Sequence, residues 1–285
     1  MEGAVAPALA IIGAGRAGSA LAIAAHDAGY RVAAVASRRG EMAARLAGTV
    51  GARAVATPLA AAVLADVTLL AVPDSAISSV AASIAASGAS LHGRGVVHLG
   101  ARFGPEIIAS LRITGAEVGV LHPLQALAGP DSASLLEGAF FRVDAAGMLR
   151  ERLLNLISAL RATPLEIDPA AAPLYHAAAV LAGNAPLALL AEATRLLESA
   201  GVSAETAHAA LAALLEGAAH NARRTGPAAA LTGPVARGDG DAIAAHLDAL
   251  AGHPQARELY ATLTRAMESL LATQPLAGDD AVQVA

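Results

Sequence analysis

Short apolar runs alternate with amphipathic stretches through the first 168 residues. Residues 8–12 (Ala-Leu-Ala-Ile-Ile) are uniformly apolar and lead into Gly13-Ala14-Gly15-Arg16-Ala17-Gly18. A short run without polar alternation suits a strand covered on both faces. From about Ser19 to Ala28 the spacing is helical, ending at Gly29, a C-cap signal. Arg31–Ala36 predicts a second strand, Gly40–Leu46 a helix and Ala52–Ala56 a strand, and another helix precedes Asp66. Val67–Val72 reads as a buried strand stopped by Pro73, and Val96–Leu99 and Val118–Leu121 as two more. Phe140–Val143, Met148–Arg161 and Pro164–Ile167 add a strand, a helix and a strand. Such alternation predicts an α/β domain with a doubly wound parallel sheet.

Beyond Asp168 the strand signals cease. Residues 170–272 show helical patterns separated by turns at Gly201, Gly226–Pro227, Thr232–Gly233–Pro234 and Gly252–Pro254. The expected organisation is a dinucleotide-binding domain over 1–168, a smaller all-α domain over 169–272 and a frayed tail over 273–285. No repeat of 20–50 residues is present.

The loop Gly13–Gly18 has the spacing GxGxxG between a predicted strand and a predicted helix, with a second strand following. In that setting Gly13 permits the tight turn, Gly15 lets a pyrophosphate approach, and Gly18 lets helix and strand pack closely. Free N–H groups at the helix start, with Arg16 and Ala17, then face the phosphates. Where an NAD site carries Asp or Glu at the end of the second strand, this chain has Ala36-Ser37-Arg38-Arg39. A hydroxyl and two guanidiniums complement a 2′-phosphate and point to NADP. Two arginines in a turn are otherwise ordinary solvated surface.

Composition narrows the chemistry. The chain has 55% hydrophobic residues, 2% aromatic and a net charge of −5. A nucleic-acid partner is therefore not expected, for want of stacking platforms and positive charge. Cysteine and lysine are absent, which removes thiolate and Schiff-base catalysis and any lysine acid. No histidine–carboxylate set has metal-ligand spacing, so no metal is expected. Residues 1–7 lack the marks of a secretory signal, and Pro73, His176, Asn184 and Pro186 interrupt the most apolar stretches before about 20 residues. The expectation is a cytoplasmic protein without a membrane partner.

Ligands of such sheets bind beyond the carboxyl ends of the strands. Val72, Pro73 and Asp74 fall there as cofactor contacts, although Asp74 has a simpler reading as the N-cap of a helix over Ser75–Ala86. His98 ends a buried strand, as a satisfied core histidine or a site residue. His122, in a loop made rigid by Pro123, is a candidate catalytic residue. In the helical part, His176, Val180 and Asn184 recur at helical spacing on one face. His176 and Asn184 could line a substrate groove or make inter-helix hydrogen bonds. Leu231–Asp239 carries Thr232 and Arg237, and Asp239 or Asp241 could cap the next helix.

These segments resemble a bacterial Rossmann-like family with a C-terminal helical domain of unknown function. The family is related to pyrroline-5-carboxylate reductase and, more distantly, to the 6-phosphogluconate dehydrogenase C-terminal-like group. The resemblance is carried by Gly13–Gly18, Ala71–Asp74, His122–Gln125, Tyr175-His176 through Asn184, and Leu231–Asp239. It implies NADP-linked reduction of a small imine or carbonyl substrate and a homodimer formed through the helical domains. It also implies a site lined by His122, His176, Asn184 and Thr232. Val180 stands where many related dehydrogenases have a lysine, so one of the histidines must supply any proton. Two rival readings remain: a prephenate- or arogenate-type dehydrogenase, and a non-catalytic NADP-binding sensor or assembly protein.

Overall fold

Eight strands hydrogen-bond into one sheet in the order β3-β2-β1-β4-β5-β6-β7-β8. They are β1 (Leu9–Ile12), β2 (Val32–Ala36), β3 (Arg53–Val55), β4 (Val67–Leu70), β5 (Gly95–His98), β6 (Glu117–Leu124), β7 (Phe140–Asp144) and β8 (Thr163–Leu165). The computed structural model describes residues 6–273; most of the tail expected over 273–285 lies outside them. The first six strands run parallel. Strand order reverses between β1 and β4, which opens a crevice at their carboxyl ends.

β7 departs from the expected parallel arrangement and runs antiparallel to β6, while β8 is parallel to β7. The link between β6 and β7 holds only a 3-10 segment, Pro130–Leu136, packed against α1 (Arg16–Asp27). No crossover helix carries the chain back, so Phe140 of β7 starts beside Leu124 at the end of β6.

The strands β1, β2, β4 and β5 are buried throughout, whereas the edge strands β3 and β8 are mostly exposed. Leu9 and Ile11 join a layer with α1, α2 (Gly40–Thr49) and α5 (Gly147–Ala159). Ala10 and Ile12 point the other way. They meet α3 (Pro58–Ala62), α4 (Asp74–Ala85) and the 3-10 segment Pro105–Thr114. This is the period-2 alternation of a strand, with an apolar layer on each side.

Two local expectations are corrected. His122 and Pro123 lie within β6, not in a loop after it. The β5 pairing ends at His98–Val120, so the missing N–H of Pro123 breaks no bond to β5. Asp74 does not cap α4. Pro73 occupies that position without a side-chain bond, and the Asp74 carboxylate in the first turn accepts from Arg102 Nε at 3.2 Å.

The chain divides by its contacts between Gly183 and Asn184, later than the loss of strand signals at Asp168. The helix α6 (Ala172–Gly183) belongs to the first unit, where Ala172 is buried and Tyr175 bonds to β6. The second unit contains α7 (Ala185–Ser199), α8 (Ala204–Thr225), α9 (Pro227–Ala230), α10 (Pro234–Arg237), α11 (Gly240–Ala249) and α12 (Pro254–Ala272). Asp239 caps α11 by accepting from the Ala242 N–H at 3.0 Å, one of the two roles open in the sequence. Contrary to expectation, the run Pro169–Ser199 is long and apolar enough to cross a membrane by composition, with mean hydropathy 1.4 over its best window. Asn184 separates α6 from α7 within it.

The start of α1 lies hard against β1 and β4. Gly13 has φ +111°, and a Cβ there would stand 2.3 Å from the Ala71 carbonyl oxygen. A Cβ on Gly18 would stand 2.0 Å from the Gly13 oxygen, whereas one on Gly15 would meet nothing within 4 Å. Gly18→Ala is therefore expected to destabilise by about 1–3 kcal/mol through overpacking, while Gly15→Ala leaves stability unchanged. Thermal unfolding of the two variants checks this; equal midpoints would contradict the packing described.

Candidate functional site

A cavity of about 480 Å³ opens at the crevice between β1 and β4. Its floor is Gly13, Ala14 and Gly15, with Ala71, Val72 and Pro73 on the β4 side. Ser37, Arg38 and Arg39 line the β2 side. Gly15 lines the cavity and caps α1 without a side chain, so the first N–H groups of the helix, with their share of the helix dipole, start at the cavity's edge. Both Arg38 and Arg39 are exposed, and neither pairs with an acidic group among the described residues. Backbone donors at one end and guanidiniums at the other suit an elongated polyanion.

The glycines divide the work as their spacing suggests. Gly13 and Gly18 close the turn and the helix contact, and Gly15 leaves room for a phosphate. Arg16 and Ala17, in the first turn of α1, lie outside the cavity lining, as does Asp74. Asp74 is held by Arg102 across the carboxyl ends of β4 and β5.

A second polar group lies at the same edge of the sheet, on β5, β6 and β7. The pairing sets His98 opposite Val120, Asp144 opposite Val120, and Arg142 opposite His122. Two-residue periodicity therefore puts His98, His122, Arg142 and Asp144 on one sheet face. α6 brings Tyr175 and His176 to them. The Tyr175 hydroxyl is 2.7 Å from His122 Nδ1, with the rings edge to face. The Arg142 guanidinium stands 5.9 Å from the centre of the Tyr175 ring.

His98 takes the structural role left open in the sequence. Its Nδ1 accepts from the Gly100 N–H and its Nε2 donates to the Gly104 carbonyl, both at 3.0 Å. Burial pushes its pKa down, partly offset by the bond to Gly104. Arg142 fastens the same loop, with Nη1 donating to the carbonyls of Ala101 at 2.7 Å and Phe103 at 3.0 Å. Its side chain is 0% exposed, and Nε and Nη2 have no partner. Asp144 lies 3.7 Å from Nη2, too far for a hydrogen bond, and its buried Oδ2 is also unpartnered. Burial lowers the Arg142 pKa and raises that of Asp144, each opposed by the other's charge.

His122 is half-buried, and burial together with the nearby His176 and Arg142 pushes its pKa down to about 4. Burial raises Tyr175 to about 12, against the pull of Arg142. His176 Nδ1 is sealed from solvent and unpartnered. Two of the four expected catalytic residues, His122 and His176, are thus brought together in the first unit. Asn184, between α6 and α7, and Thr232, between α9 and α10, are exposed residues of the second unit. Arg142 and Tyr175 were not among the expected site residues. The signal for Arg142 was a lone charge inside the apolar run Phe140-Phe141-Arg142-Val143; Tyr175 gave none beyond its place beside His176. Among the described residues, no three of His, Asp and Glu gather as a metal site.

Two family models match the chain. Residues 8–102 match that described as NADP oxidoreductase coenzyme F420-dependent. Residues 139–267 match a domain of unknown function (DUF2520). No curated protein matches. Among solved structures, a Bacteroides fragilis protein described as an NADP oxidoreductase is 24% identical with TM-score 0.73, covering 92% of this chain and 98% of its own. An imine reductase from Pseudomonas sp. is 21% identical with TM-score 0.63, covering 92% and 91%. The Plasmodium falciparum pyrroline carboxylate reductase, solved with NADP bound, is 11% identical with TM-score 0.62, covering 94% and 100%. At these identities the likeness establishes the fold: a Rossmann-like sheet followed by an all-helical region.

The depressed His122 pKa has a consequence for stability. Folding favours its neutral form, so the unfolded chain binds more protons between about pH 6.5 and 4. Stability is therefore fully present above pH 6.5 and lost as pH falls towards 4; His98 acts in the same direction. Urea unfolding of the wild type and His122→Gln at pH 7 and pH 5 is expected to show a smaller acid loss in the variant. An equal loss would mean that His122 is not held neutral.

Proposed function

We propose that this chain is an NADP-dependent oxidoreductase moving a hydride between NADPH and a small imine or carbonyl compound. The carrying observation is the glycine cradle, closed at Gly13 and Gly18 and open at Gly15, with Ser37, Arg38 and Arg39 at the end of β2. The cofactor fits these residues: main-chain N–H groups of α1 would hold the pyrophosphate. Arg38 and Arg39 would hold the 2′-phosphate, where an acidic residue would repel it. Bound NADPH supplies the hydride, which no side chain of this protein can provide.

His122 stands at the carboxyl end of β6, three strands from β1, roughly 14 Å across the sheet at the usual strand spacing. That is the side of the crevice away from Arg38, where the nicotinamide end of an extended dinucleotide would lie. We assign His122 and His176 to the substrate pocket. A chain without lysine and with a neutral His122 suits substrates whose C=N or C=O bond is activated by a hydrogen bond and not by full proton transfer from the protein. Similarity to an imine reductase and to a pyrroline carboxylate reductase supports that class.

The helical unit buries few side chains among its described residues, namely Ala207, Val235, Ala256 and Thr264. Leu181 on α6 and Leu187 on α7 are exposed. So thin a core leaves such a unit marginal alone, and we propose a homodimer that covers these helices.

Two measurements test the proposal. Wild-type protein is expected to bind NADPH more tightly than NADH. Arg38→Ala should weaken NADPH about 10–100-fold, the worth of a charge-assisted hydrogen bond of about 1.5–3 kcal/mol, with NADH unchanged. Equal binding of both cofactors by both proteins would overturn the NADP assignment. A panel of cyclic imines, 2-oxo acids and aldehydes then tests turnover; saturable NADPH binding with none consumed would favour a sensor. Sedimentation should give twice the chain mass of 28.1 kDa, falling to one chain when Leu181 and Leu187 are both changed to Glu. A monomeric wild type would sink the dimer.

A further inference from the structure

We propose that Tyr175 is a positioning residue that holds His122 as the neutral Nε2–H tautomer, so that His122 meets the substrate as a hydrogen-bond donor. Such a donor selects an atom with a free lone pair, a carbonyl oxygen or an unprotonated imine nitrogen, over a protonated iminium. The substrate half rests on the oxidoreductase reading; the tautomer half rests on one side-chain pair.

Tyr175 Oη and His122 Nδ1 are 2.7 Å apart. That separation is usual for an O–H donor and short for an N–H donor, whose bonds to oxygen cluster near 2.9–3.0 Å. A phenol O–H is a stronger donor than a neutral imidazole N–H, and an imidazole nitrogen a stronger acceptor than a phenol oxygen. The hydroxyl therefore donates and Nδ1 accepts. A bond received at one ring nitrogen fixes the proton on the other. His122 Nε2 thus carries hydrogen. It has no partner among the described residues, yet it is not among the sealed atoms, as Nδ1 of His176 is.

The surroundings keep the pair in this state. His122 faces Arg142 from β7, His176 and Tyr175 from α6, His98 from β5 and Asp74 from α4. Burial first, and the Arg142 charge with it, outweigh Asp74 and disfavour an imidazolium. Tyr175 stays a phenol well above neutral pH. Neither group changes protonation between about pH 5 and 8.

A neutral N–H beside a buried guanidinium offers an iminium no acceptor and an unfavourable charge. A carbonyl oxygen or an imine nitrogen with its lone pair is complementary. On reduction by NADPH the π electron pair moves onto that atom, where Nε2–H stabilises the developing charge. Solvent supplies the proton that completes the alcohol or amine, and His122 keeps its own.

The test uses the full chain labelled with 15N-histidine, with His122 assigned through His122→Gln. From pH 5.5 to 8 the spectrum should show His122 Nε2 protonated and Nδ1 bare. Tyr175→Phe, which keeps the ring, should turn this into a mixture of tautomers. It should also lower kcat about tenfold, the low end for loss of an orienting partner, with the NADPH Kd unchanged. On a cyclic imine, wild-type kcat/KM should rise as pH passes the iminium pKa. An Nδ1–H form in the wild type, or an unchanged spectrum in Tyr175→Phe, would overturn the tautomer half. A kcat/KM that falls across the iminium pKa would overturn the substrate half. If nothing is reduced while the NMR pattern holds, the oxidoreductase reading fails and takes the substrate half with it; the tautomer assignment stands.

Discussion

Everything at the carboxyl edge of the sheet depends on how closely the turn after β1 approaches the neighbouring strand. Gly13 stands where a Cβ would overlap the Ala71 carbonyl, and Gly18 where a Cβ would overlap the Gly13 oxygen. This main-chain contact brings the start of α1 to the switch point, with its free N–H groups at the edge of the cavity. With even one methyl group inserted, the helix would have to shift or tilt, and the N–H groups would no longer converge. The apolar layers on both faces hold the sheet, but this contact aims it.

The other end of the edge is organised by buried polar groups. His98 and Arg142 both fasten the loop after β5, through the carbonyls of Ala101, Phe103 and Gly104. Arg142 serves in this role with Nε and Nη2 unpartnered and with Asp144 beyond hydrogen-bond reach. A buried guanidinium so incompletely satisfied costs stability. In return it maintains positive charge behind His122, which helps to hold that ring neutral.

The sheet was legible in the sequence because parallel strands covered on both faces must be almost continuously apolar, and β1, β2, β4 and β5 are so apart from Thr68 and His98. The glycine loop was legible because its spacing reports contacts within a few residues. What the sequence hid depends on distant partners. Pro123 suggested a loop, yet it is tolerated in β6 because β5 has already ended. Asp74 had the form of a helix cap, but Arg102, 28 residues away, takes its carboxylate. The His122–Tyr175 pair spans 53 residues, and no local pattern encodes it. The direction of β7 followed from a link that forms a 3-10 turn instead of a crossover helix.

The three glycines of the loop answer to different judges. Gly13 and Gly18 are favoured by packing alone, so a side chain at either position costs stability whether or not a ligand is bound. Gly15 has empty space beyond it, and only a ligand gives a reason to forbid a side chain there. A descendant that abandoned the ligand would be free to drift at position 15 while still bound at 13 and 18. Within one hexapeptide the chain thus carries an inheritable record that separates selection for shape from selection for use.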